Sequence, residues 1–132
     1  MADTAITATV TYPGPSGVRL PGNPALVTGS YVANDTDNHA MKFNTLGKRF
    51  ITYVVTNPSN KDVTITIYGA PTLASEVGET GVFLIGTSET ASAGTTNDAT
   101  TDQGAVFFII RCTSSATPDG STVTIHAHLM PT

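Results

Sequence analysis

The sequence predicts an all-β protein: an antiparallel β-sandwich or flattened barrel, immunoglobulin-like or jelly-roll, with about seven strands. Three observations carry this. Val63, Ile65 and Ile67 alternate with Thr64, Thr66 and Tyr68, while Val123, Ile125, Ala127 and Leu129 alternate with Thr122, Thr124, His126 and His128. A period of two gives an extended chain one apolar and one polar face. Polar breaks such as Asn57–Asp62 and Pro118–Gly120 separate these runs with turn chemistry. Finally, no strand pattern alternates with a long helical one, which argues against a parallel α/β sheet.

Taken in order, Thr4–Tyr12 is a half-buried strand with Ile6, Ala8, Val10 and Tyr12 on one face and Thr7, Thr9 and Thr11 on the other. Four prolines in Pro13–Pro24 forbid helix and disfavour an interior strand, so an extended Pro/Gly-rich N-terminal arm or a pair of open turns is expected, either a surface loop or a strap laid across a neighbouring subunit. Residues 1–24 therefore read as strand plus arm, and 25–132 as a single sandwich domain. Ala25–Ala33 is a strand, with a bulge expected at Gly29. Asn34–Asn38 reads as a turn capping a short helix over His39–Leu46 that stops at Gly47. Phe50–Val55 and Val63–Tyr68 are expected to pair as a hairpin, Phe50–Val55 being the more central strand. Thr72 caps one helical turn through Val77. Gly81–Gly86 is a compact apolar run and reads as a buried strand. Thr87–Gln103 is polar and repetitive, and a long loop is expected. Ala105–Cys112 and Ser121–Leu129 are the last two strands, joined by Thr113–Gly120, with Pro131 ending the pairing.

Composition narrows the function classes. At 132 residues the chain is one domain, long enough to build a core without metals or disulfides. Charged residues make up 12%, half the usual ~25%, and the solvent faces carry Thr in their place. Such a surface repels itself weakly and suits a subunit that packs against others. A net charge of −4 with six scattered Lys and Arg gives no basic stripe, so nucleic acid is not expected as a partner. The longest apolar run, Ala105–Ile110, is strand length, so no membrane helix is expected. MADTAITATV has neither a positive n-region nor an apolar h-region, and no secretory signal is read there.

Few residues point to chemistry. His126 and His128 stand two apart on one strand and face the same way, a spacing that suits two imidazoles on one metal. His39, Asp35 or Asp37 would have to supply a third ligand; the plainer reading leaves both histidines exposed. At a subunit contact they would instead make association pH-sensitive. Asp35–Asn38 begins like a calcium loop, but Ala40 and Leu46 stand where Gly and Glu are required. Cys112 ends an apolar run that raises a thiol pKa, so a dyad with a histidine across its hairpin is disfavoured. Glu76 and Glu79 would need an aromatic cleft to act on sugars, and the chain has no Trp. The same lack weakens a carbohydrate-binding reading. A non-enzymatic protein without a cofactor is expected.

The start MADTAITATV, the Pro13–Pro24 arm, the Thr-rich strands and the sparse charge together resemble small all-β virion proteins of tailed bacteriophages, especially head decoration (cement) proteins. The resemblance implies a protein made in the host cytoplasm that joins the virion exterior. It would bind the major capsid protein or other virion subunits as a homo-oligomer, often a trimer. The contact segment is then Ala5–Pro24, with Tyr12, Pro13, Pro15, Val18, Arg19, Leu20 and Pro21 binding the partner. Thr87–Gln103 would be a second contact or an exposed tip. Alternative readings are a tail-tube or fibre module, an extracellular adhesion module, or a small cupin-like metal protein.

Overall fold

In the computed structural model, which describes residues 3–12 and 24–130, ten strands form two five-stranded sheets. Sheet I runs β1 (Thr4–Ile6), β4 (His39–Asn44), β9 (Phe107–Thr113), β6 (Val63–Ala70) and β7 (Phe83–Ala91). Sheet II runs β2 (Thr9–Thr11), β3 (Ala25–Val32), β10 (Thr122–Met130), β5 (Phe50–Asn57) and β8 (Thr95–Thr101). Every ladder is antiparallel except β1 on β4. The pairs β3/β10, β4/β9, β5/β8 and β6/β7 make residues 25–130 one long ribbon, closed at residues 71–82 and rolled so that successive pairs fall in opposite sheets. That order is a jelly roll.

Several sequence expectations change in this frame. Phe50–Tyr68 is not a hairpin: β5 lies in sheet II and β6 in sheet I, and Asn57–Asp62 is the corner between them. Ala105–Cys112 and Ser121–Leu129 likewise end in different sheets. A corner and a hairpin use the same turn residues, so local chemistry does not separate them. Asn57 pins its corner from inside. Its Nδ2 donates to the carbonyls of Lys61 (2.7 Å) and Ala91 (2.9 Å), and its Oδ1 accepts from Ser59 Oγ (2.6 Å).

His39–Asn44 is a strand, not a helix, and residues 71–82 form turns, so the described residues contain no helix. The polar stretch Thr87–Gln103 is not a loop. It holds the end of β7, a turn at Ser92–Gly94 and the edge strand β8. Gly81–Gly86 is not a buried strand either, because Phe83 and Leu84 remain 40% and 53% exposed. The ladder slips between Ile65 and Ile67, opposite a β7 bulge at Gly86, whose φ is +66°. No bulge occurs at Gly29, where the β3–β10 register is unbroken. Gly29 is small for another reason: a Cβ there would stand 2.6 Å from Met41 Sδ and 2.8 Å from Ile6 Cγ2.

The leading strand changes sheets halfway. β1 completes one edge of sheet I, the chain crosses at Thr7–Ala8, and β2 completes the matching edge of sheet II. Ile6 is thereby buried in the common core with Met41, Phe108, Ile110, Ile125 and Leu129. Val63, Ile65, Val123, Ile125, Ala127 and Leu129 are fully enclosed, as their alternation predicts. Each of the Val, Ile and Leu side chains contributes about 1.5–3 kcal/mol by leaving water.

Candidate functional site

The register places side chains across the outer face of sheet II in straight rows. One row reads Thr9, Thr28, His126, Val54, Asp98; the next reads Thr11, Leu26, His128, Thr52, Thr100; a third reads Ser30, Thr124, Thr56, Thr96. Asp98 is the only Asp, Glu, Lys or Arg in these rows. The face divides into two halves. On β5 and β8 the hydroxyls satisfy one another, with Thr52 and Thr100 Oγ1 at 2.7 Å and Thr96 and Thr56 Oγ1 at 3.5 Å. Phe50 and Met130, in register at the end of this half, are 36% and 45% exposed. On β2, β3 and β10 no side-chain hydrogen bond joins the hydroxyls among the described residues.

Beside that second half lies a notch of about 720 Å³. β2 covers β3 only over Leu26–Thr28, so among the described residues Gly29–Val32 has an open edge where the leading strand has left for sheet I. Thr4, Ala5 and Thr7 form one wall, Thr28 and Ser30 with Thr122, Thr124 and His126 the other, and Tyr31 and His39 stand at its end. The Tyr31 and His39 rings stack at 4.2 Å and 12°. His39 Nε2 lies 2.8 Å from Asp35 Oδ1, and this hydrogen bond holds the Asp35 carboxyl below its usual range. Burial pushes the Tyr31 phenol up, with Cys112 and Asp35 adding to the effect. Tyr31 Oη and His39 Nδ1 are buried without a partner. A smaller cleft of about 200 Å³ opens on the opposite side, where Tyr53, Glu89 and Thr100 meet between the edges of β7 and β8.

The sequence candidates distribute as follows. His126 and His128 share the outer face of sheet II. His126 and His39 line the same notch, which His128 does not. Among the described residues no three His, Cys, Asp or Glu side chains are grouped as a metal would need. Cys112 is in register with His39, but it is enclosed and burial pushes its thiol up to about 12. A thiol held neutral in this way is not a nucleophile. Tyr12 packs against the core. Pro13, Pro15, Val18, Arg19, Leu20 and Pro21 lie outside the described residues. The expected contact at Thr87–Gln103 falls on β7 and β8. Sequence reasoning missed Thr28, Ser30 and Tyr31. The hydroxyl-rich run Thr28-Gly29-Ser30-Tyr31 was the available signal.

The sequence matches no protein-family model and no curated protein. Among solved structures it is similar to the K1 cleaved adhesin domain of Lys-gingipain from Porphyromonas gingivalis W83, at 12% identity over 98% of this chain and 85% of that one, TM-score 0.53. The K2 cleaved adhesin domain of Lys-gingipain matches at 10% identity over 96% of this chain and 83% of that one, TM-score 0.47. The SPBc2 prophage-derived protein YomS matches at 15% identity over 80% of this chain and 93% of that one, TM-score 0.47. At 12% identity the likeness to the K1 domain is one of fold alone, and the fold of this chain is the β-sandwich described above.

Proposed function

We propose that this chain is a non-catalytic structural module of a virion, a decoration subunit that docks on an assembled shell. The observation that carries the reading is the β5/β8 half of the outer face of sheet II. It carries one carboxylate, its hydroxyls are already paired, and Phe50 and Met130 stand exposed at its end. Burying paired hydroxyls costs less than burying unpaired ones, and the exposed Phe50–Met130 pair at the margin adds apolar area for a partner to cover. The Thr-rich, sparsely charged sequence and its likeness to decoration proteins support the same reading. A partner that binds only the assembled shell stabilises it by mass action, repeated over many sites.

The test is co-sedimentation of the purified chain with expanded phage heads stripped of their own decoration, with light scattering on the free protein. Saturable binding at a fixed number of copies per shell is expected. Thr52→Lys should abolish it, because a buried unpaired ammonium is strongly unfavourable, while the lost Thr52–Thr100 hydrogen bond lowers folding stability by no more than about 1 kcal/mol. A chain that remains in the supernatant, or a T52K variant that binds as well as the parent, would overturn the reading.

A further inference from the structure

We infer that the notch between β1 and β3 is a binding site for a neutral oligosaccharide. Its volume of about 720 Å³ falls within the range of small-ligand sites. Its lining selects the ligand class. Among the described residues no Lys, Arg, Asp or Glu lines it, so apart from the imidazoles of His39 and His126 it offers an ion no countercharge. The walls present aliphatic hydroxyls, each able to donate and to accept. Among the described residues these hydroxyls have no side-chain partner, whereas Thr52 and Thr100 on the same sheet face are committed to each other at 2.7 Å.

The open edge of Gly29–Val32 adds backbone N–H and C=O groups along one side. At the end of the notch His39 is only 6% exposed and its Nδ1 lacks a partner, as does the Tyr31 hydroxyl. A ligand that complements this lining is uncharged, and it donates and accepts hydrogen bonds over much of its surface. A short saccharide chain has those properties. One face of the Tyr31 ring is already taken by His39, so hydrogen bonds rather than ring stacking carry recognition. A dissociation constant on the order of millimolar follows from a few solvent-competed hydrogen bonds.

The inference does not rest on shell docking, which uses the other half of the face, and the two fail separately. It is tested by titrating the ¹⁵N-labelled full chain with cellotriose, maltotriose and triacetylchitotriose, using sialyllactose and the peptide Thr-Val-Thr-Val-Thr as comparators. At least one neutral trisaccharide should give saturable shifts confined to residues 4–9, 28–32 and 122–126. Thr28→Val and Thr124→Val should each bind about tenfold more weakly, the effect of losing roughly one hydrogen bond, at unchanged melting temperature. Thr52→Val should bind like the parent. Four results would overturn the inference: no saturable shift with any neutral sugar, shifts centred elsewhere, parental affinity in both valine variants, or filling of the notch by the peptide or sialyllactose in preference to the neutral sugars.

Discussion

On the outer face of sheet I, Ile109 is as enclosed as any residue between the sheets, at 0% exposure. On the outer face of sheet II, Val54 and His126 at the middle of their strands stay half-buried. The difference lies in what covers each face. Residues 71–82 fold back over sheet I, where Val77 and Val82 with Tyr68 and Phe107 enclose Ala40, Ala70 and Ile109 in a second small core. Lys42 fastens that covering: its Nζ donates to the Ser75 carbonyl at 2.7 Å and lies 3.1 Å from Glu76 Oε1. Arg111 on the same face is paired with Asp3 at 2.9 Å. Sheet II has no covering segment among the described residues, and its outward positions are mostly Thr, His and Ser. An apolar face must be covered by its own chain, whereas a hydroxyl face is stable in water and remains available to a partner.

The largest expected effect tests whether the two faces differ as sharply as this. Ile109→Ala empties a site packed on both sides and should cost about 2–4 kcal/mol. Val54→Ala, at the same depth along the other face, should cost under about 1 kcal/mol. Urea denaturation of both variants measures the contrast. Limited proteolysis should also show I109A newly cut within residues 71–82. Equal losses would mean that sheet II is covered after all.

These two faces also explain what was legible in the sequence. Strands with one buried and one wet face, β6 and β10, display their period of two directly. Ala40 in β4 is enclosed by the second core although it points outward, so His39–Phe43 loses its alternation and resembles a capped helix. β8 fails in the opposite direction. As the edge of sheet II, its Thr95–Thr101 run contains only Ala99 as an apolar residue, and polar repetition reads as loop. The hydroxyls of the candidate notch belong to β1, β2, β3 and β10, which come together only because the leading strand changes sheets at Thr7–Ala8. No local pattern encodes that crossing, although Gly29 marks where the chain passes closest.

Alkali probes the interior that both faces share. Burial pushes the Cys112 thiol from 9.0 up to about 12, and burial with the Glu89 charge pushes the Tyr53 phenol from 10.0 up to about 12. In both cases the folded pKa lies above the unfolded one, so the unfolded chain releases its protons first as pH rises. Stability from these groups is whole below pH 9 and is lost progressively from there towards 12. Cys112→Ala removes the most enclosed of them. Its stability should therefore fall less steeply than the parent's above pH 9, by a slope difference approaching about 1.4 kcal/mol per pH unit. Parallel stability curves would show that the thiol is reached by solvent, and the enclosed core would have to be redrawn.

The smallest effect separates the two halves of sheet II. Thr52 and Thr100 share a hydrogen bond at 2.7 Å across the β5–β8 ladder, while Thr28 and His126, equally in register across β3–β10, share none. A double-mutant cycle on Thr52→Val and Thr100→Val should give a coupling of about 0.2–1 kcal/mol, the range of cross-strand pairs. The cycle on Thr28→Val and His126→Ala should give a coupling near zero. Valine keeps the β-branch and the volume of threonine, so the first cycle reports the hydroxyls and not the packing; in the second, the coupling term cancels what the imidazole loses by itself and keeps only what it shares with Thr28. If the second pair couples as strongly as the first, the notch hydroxyls are already satisfied within the chain, and the division of the face into a closed half and a receptive half disappears.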